Sequence, residues 1–418
     1  MIAALALVVA GVVAVDEGAP ATPTATDTFS FAAVPTLTFD TDEGFGTGGV
    51  VTLYHHGAAS ADHGEPYRDA VTLNLFISSK LVQHDGVSWD AIRPFDVAGR
   101  MFLRLAYYST VSESYCGVGN DVTCAPGEPV QRAAQLPAST SSSARDDFVR
   151  HYYLMRYQRP YATVIFRPWL RDKPVRTELL VGWRGALTIP GDLSTRGPYP
   201  GSLYAHDHAD GEPGISSVPF FGVILDDRDH EAFPTRGFYA EASARVAHPL
   251  LGSTWSYAGA NAQLAGFFTL LDGFPRVVLA TRAVLDGIVG EPSTQERARV
   301  GGTVDAIAFG GSSIGRGIRE QRYQGNLKAI GQAELRAQLF DSALFGQSFN
   351  HGAAVFSDVG YIGKRIDDVG ARPLKLLATV GVSYRLLWNE SFAIRWDLAV
   401  SPDENDGPGF YIIVGNAF

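Results

Sequence analysis

Gly310-Gly-Ser-Ser-Ile-Gly-Arg-Gly-Ile-Arg-Glu-Gln-Arg-Tyr-Gln-Gly-Asn326 joins two segments in which apolar and polar residues alternate. Before it, Val277, Leu279, Thr281, Ala283 and Leu285 share one parity, and Arg282 and Asp286 hold the other. After it, Leu327, Ala329, Gly331, Ala333, Leu335, Ala337 and Leu339 are small or apolar, with Lys328, Gln332, Glu334, Arg336 and Gln338 as alternates. A period of two puts successive side chains on opposite sheet faces. Each flank therefore reads as a strand with one apolar and one charged face, and the glycine- and arginine-rich stretch is the loop between them. Folded back into a polar cavity, Arg316 needs an anionic partner.

The same pattern recurs along the chain. Val71, Leu73, Leu75 and Ile77 alternate with Thr72, Asn74, Phe76 and Ser78. In the last hairpin Phe392, Ile394, Trp396, Leu398 and Val400 oppose Ala393, Arg395, Asp397 and Ala399. Burying Arg395 and Asp397 against helices would be costly, whereas a water-filled lumen accepts them. Further strands are expected at 101–108, 161–170, 175–187, 216–226, 238–246, 255–271, 276–289, 327–340, 350–362, 376–388 and 410–418. A short first strand, ending at Phe39, precedes an Asp42-Glu43-Gly44 turn. Polar loops are expected over 117–147 and between 187 and 216. A soluble sandwich with so many two-faced strands would lack edge protection. The expected fold is an all-β, 16-stranded antiparallel transmembrane β-barrel, a strand number usual for such barrels.

Composition is compatible with this and excludes little else. The 418 residues would also allow two or three soluble domains. A net charge of −10 argues against nucleic acid, which needs a basic face. A mean hydropathy of +0.02 decides nothing, because a barrel hides its apolar residues in alternate positions. Past the N-terminal residues there is no apolar run near the ~18 that a spanning helix needs. Residues 1–15 read as a signal peptide, wholly apolar from Ile2 to Val15, with Ala14 at a cleavage site and no Lys or Arg before the apolar run. Residues 16–30 read as a flexible leader, and 31–418 as the barrel domain. Cys116 and Cys124, close together in an exported chain, are expected to form a disulfide.

The run Gly311 to Ile318, followed by Arg322 and Gly325, resembles the sixth surface loop of the BamA/TamA-like outer-membrane barrels (bacterial surface antigen family). That loop carries an Arg-Gly-aromatic core; here Arg316 and Gly317 are followed by Ile318 in the aromatic's place. The resemblance implies that Arg316 reaches into the lumen and meets a Phe-x-Asp-x-Gly element, present as Phe356, Asp358 and Gly360. These three share parity, and Glu334 and Arg336 on the intervening strand face the same way. A guanidinium clamped by a carboxylate and stacked on a ring is geometrically specific. Its implied role is to hold loop and barrel shape. Asp226, Arg228, Asp229, Pro234 and Gly237 match the family's periplasmic turn. Phe410, Ile412, Val414 and Phe418 resemble its terminal strand signal, with Asn416 a departure from the usual residue.

The likeness covers residues 31–418. Assembly-type relatives carry POTRA domains before the barrel, and the leader here is too short for one, so a barrel-only member is expected. The implied role is protein assembly and insertion, or lipid transfer, through a lateral seam in the outer membrane of a Gram-negative bacterium. Its partners would be outer-membrane lipid, client barrels or a periplasmic partner protein. No cofactor and no enzymatic activity are implied. The alternative is a passive pore, or a scaffold for a separately encoded periplasmic partner. Gly311-Ser312-Ser313-Ile314-Gly315 matches a G-x-S-x-G elbow, but that motif needs a helix after it, and a charged, strand-bound sequence follows here. His206 and His208, with Asp207 and Asp210, read as a solvated loop.

Overall fold

In the computed structural model, residues 27–57, 67–122, 124–231, 233–303, 307–344, 347–368, 375–388, 392–404, 407–414 and 417–418 are described. The signal peptide expected over 1–15 and residues 16–26 lie outside them. The first four strands are β1 (Thr28–Asp40), β2 (Gly44–His56), β3 (Asp69–Ser78) and β4 (Gln83–Ile92). Next come β5 (Gly99–Ser114), β6 (Leu154–Arg171), β7 (Arg176–Pro190) and β8 (Gly214–Asp226). They continue with β9 (Gly237–Ala247), β10 (Ser256–Leu271), β11 (Arg276–Glu291) and β12 (Leu327–Leu344). The last are β13 (Gln347–Gly363), β14 (Leu377–Trp388), β15 (Phe392–Val400) and β16 (Gly409–Val414). Each pairs antiparallel with its sequence neighbours, and β1 pairs with β16 to close the barrel.

Alternation in sequence becomes two faces in space. Leu264, Phe268, Leu285, Val355, Val380 and Val382 are each more than half exposed on the outside. Gln263, Arg282, Glu334, Asp358, Arg395 and Asp397, of the opposite parity, are buried inside. An apolar exterior around a polar interior is stable only where hydrocarbon replaces water. Among the described residues no helix is long and apolar enough to cross a membrane.

Long connections gather at one end: 115–153, 191–213 and 292–326. They carry short helices α1 (Gly127–Ala134), α2 (Ser142–His151), α3 (Leu203–Asp207) and α4 (Thr294–Arg297). The Ala144 amide donates to the N-cap Ser141 at 3.2 Å, satisfying an open donor at the start of α2. Cys116 and Cys124 form a disulfide with Cα atoms 5.4 Å apart. The third connection turns inward and seats Phe309, Ile314, Ile318 and Tyr323 against Val284, Ile330, Ile362 and Leu377. This apolar plug fills the lumen where it would otherwise hold water.

Three expectations need correction. The stretch 117–147 is not plain loop, because α1 and part of α2 fall within it. β1 starts at Thr28, so it takes in the end of the expected 16–30 leader, and Pro35 lies within it. β16 ends at Val414, so Phe410, Ile412, Val414 and Phe418 do not line one strand face. Instead Arg336 Nη2 donates to Phe418 O at 3.2 Å, and the Phe418 ring lies 6.5 Å from that of Phe267 inside the barrel. A cation and a ring on the lumen wall give the terminal aromatic a site that the membrane face lacks.

Candidate functional site

Arg316 is fully buried. Its backbone N–H and Nε each donate to Asp358 Oδ2 at 3.1 Å, and Nη2 donates to Asp358 Oδ1 at 3.0 Å. Nη1 donates to Glu334 Oε1 at 2.7 Å and to Asp397 Oδ2 at 3.4 Å. The guanidinium carbon sits 3.4 Å from the centre of the Phe356 ring. Gln332 Nε2 gives Asp358 a further bond at 3.1 Å. Glu334 also accepts from Arg336 Nε at 2.8 Å and Arg385 Nη2 at 2.6 Å, while Arg395 donates to Asp397. Three strands, β12, β13 and β15, thus converge on one loop residue, and β14 joins through the Arg385 bond to Glu334. With every carboxylate accepting several charge-assisted bonds, the cluster fixes position.

Gly317 continues the clamp. Its N–H donates to Tyr411 Oη on β16 at 3.0 Å. Its φ is +93°, and a Cβ there would stand 2.8 Å from the Ala399 backbone, so glycine is required twice over. At Gly360 a Cβ would lie 2.4 Å from the Phe309 ring, which explains the third member of the Phe-x-Asp-x-Gly element. Ile318 is buried in the apolar plug, Arg322 pairs with Glu404, and Gly325 N donates to Arg297 O at 3.2 Å. The Ser312 carbonyl accepts from Arg395, and the segment after Gly315 continues as loop, without the helix that an elbow needs.

The turn between β8 and β9 is held internally. Arg228 Nε and Nη2 grip Asp226 at 2.9 and 2.8 Å, Asp229 Oδ1 accepts from Thr235 N at 2.8 Å, and Pro234 is buried. Gly237, at φ +95°, restarts the sheet. His208 is not merely solvated. Its Nδ1 lies 3.3 Å from Glu212, and its Nε2 is 3.4 Å from both Tyr115 Oη and Thr294 Oγ1, so it ties the three long connections together. His206 stays exposed.

β1 and β16 meet at two positions, Phe39↔Ile412 and Asp40↔Tyr411. β15 and β16 meet at six. Thr28 to Asp40 are all paired with β2, but before Phe39 β1 has no β16 partner among the described residues. At the outer end of this seam the 41–43 turn faces Arg319 and Glu320 of the inserted loop around one small cavity. Burial, with Asp40 adjacent, pushes the Asp42 carboxyl up to about 8 and that of Glu43 up to about 7. Burial likewise raises Glu320 well above the usual carboxylate range.

Closed sixteen-strand architecture, apolar exterior and an arginine-clamped loop inside the lumen define an outer-membrane β-barrel. A family model described as the Omp85 superfamily domain matches residues 152–418, and the chain belongs to the Omp85 superfamily. Its fold is similar to BamA from Haemophilus ducreyi lacking POTRA domains 1-3, with a TM-score of 0.52 and 14% identity over 94% of this chain and 70% of that one. CdiB from Escherichia coli gives a TM-score of 0.57 and 13% identity over 94% and 63% of the two chains. For CdiB from Acinetobacter baumannii the values are 0.50 and 12% over 92% and 59%. The chain thus spans 59% to 70% of the length of these relatives. No match is found among curated protein sequences.

Proposed function

We propose that this barrel inserts or assembles outer-membrane proteins, or passes lipid sideways, by opening between β1 and β16 in the membrane of a Gram-negative bacterium. One observation carries the reading: among the described residues two pairs close the seam, and most of β1 presents an edge with no partner there. An unpaired strand edge is a template for another strand. Client barrels, or lipid, would be the partners at that edge, with a periplasmic protein as a further partner. The passive-pore alternative is disfavoured by the inserted loop, whose apolar plug and salt-bridge cluster occupy the lumen. A terminal aromatic signal at Phe418 is proposed to act during assembly, before the ring docks inside.

The test is a lock. Cysteines at Phe39 and Ile412, in a background lacking Cys116 and Cys124, place a cross-link on the closing pair. Oxidation should abolish outer-membrane protein or lipid maintenance in cells depleted of the wild type, and reduction should restore it. Full maintenance with the seam locked would leave the scaffold reading as the better account.

A further inference from the structure

A cavity of about 590 Å³ lies inside the barrel, between the β4–β7 wall and the inserted loop, away from the Arg316 cluster. It is of ligand-pocket size. Arg104 on β5 pairs with Thr163 on β6, and Thr163 pairs with Arg184 on β7. All three side chains line the cavity. Strands are ~4.8 Å apart, so two guanidinium stems flank one hydroxyl in a single cross-strand row. Arg159, four residues earlier on β6, adds a third cation.

The charges are unevenly matched. Arg100 is bound by Asp90 at 2.6 Å and by Glu231 at 3.0 Å, and Arg167 by Glu178 at 3.2 Å. These arginines are satisfied. Arg104 lies over the Phe102 ring at 5.2 Å and meets no carboxylate among the described residues. Arg184 lies over the Phe220 ring at 4.6 Å and donates to the Gly302 carbonyl, while its buried Nε has no acceptor. Arg159 is 8% exposed, its nearest carboxylate is Glu296 at 3.8 Å, and its Nε also has no acceptor. The remaining acids, Glu43 and Glu320, line the outer end, where burial favours their neutral form. Arg159 and Arg184 each keep a buried Nε–H without an acceptor, which is costly, and Arg104 presents an exposed guanidinium to the same space. The geometry therefore calls for a compact anion with several oxygens, which arginine forks match best in phosphate.

We propose that this cavity binds a phosphate group, held by Arg104, Thr163 and Arg184, with Arg159 behind them. Two sources carry that chemistry: a phospholipid headgroup or a soluble phosphate. The site is independent of seam opening, because binding is measured on the closed barrel with no client present. The experiment titrates the purified barrel in neutral detergent with inorganic phosphate and, separately, with short-chain phosphatidylglycerol, by calorimetry.

One saturable site is expected, weakened ~10-fold or more in Arg104→Gln and in Arg184→Gln as a charged donor is lost. Arg236→Gln, on the exposed turn at the other end, should bind like the wild type. Gel mobility before and after boiling shows that each variant is folded, and Thr163→Val asks the same question with no change of charge. Binding of inorganic phosphate points to the soluble source, and binding of phosphatidylglycerol alone points to the headgroup. No saturable binding of either, or undiminished binding in the folded variants, overturns the proposal.

Discussion

Asp358 accepts four hydrogen bonds and Arg316 serves three carboxylates, so these residues act as one unit. Arg316→Ala leaves Glu334, Asp358 and Asp397 without their shared cation. One-sided loss of a buried pair costs ~3–5 kcal/mol, less where lumen water reaches the site. Arg316→Ala and Asp358→Ala should each lower the barrel's urea midpoint, and the double variant should fall short of the sum by ~0.5–3 kcal/mol. Additive losses would mean that the pair is not coupled in solution. This contact was implied by the family resemblance of the loop and of the Phe-x-Asp-x-Gly element, and parity added that Phe356, Asp358, Gly360 and Glu334 face the lumen together. The contribution of Asp397 was half legible. Its inward parity could be read, but its meeting with a residue 81 positions away depends on barrel curvature, which no local pattern encodes.

At the scale of elements, alternation located most strands and failed where its physical basis is weak. In β4 only Val87 is a clearly exposed apolar residue, Ala91 is buried, and a run of Gln, His, Asp and Gly opens the strand. β1 was misjudged because Pro35 reads as a strand start. Among the described residues β1 pairs with β16 only at Phe39 and Asp40, and a strand edge tolerates proline. The turn after β1 yields a pH prediction. Asp42 and Glu43 titrate near 8 and 7 in the folded protein, against about 4 for free carboxylates. The folded state therefore holds protons that the unfolded chain releases, and stability declines as pH rises from about 4 to about 8. Melting of the purified barrel should occur at lower temperature at pH 8.5 than at pH 5. Asp42→Asn with Glu43→Gln should flatten that difference. A wild-type melting point that rises over this range would contradict the assignment.

For the whole molecule, an apolar exterior and a closed ladder predict resistance to SDS until heat breaks the backbone hydrogen bonds. Unboiled outer-membrane fractions should run faster on a gel than boiled ones, and identical mobility would count against the closed barrel. Near-zero hydropathy concealed this class, because the two faces cancel in any average. The inserted loop has a mechanical consequence. It grips the β16 lip through Tyr411 and Glu404, and at the β1 lip it lays Arg319 and the Glu320 backbone against Asp42. A split hoop whose internal clip touches both lips opens only when one grip lets go. If the gap widens, the acid-lined grip at Asp42 is the one that charge would loosen first.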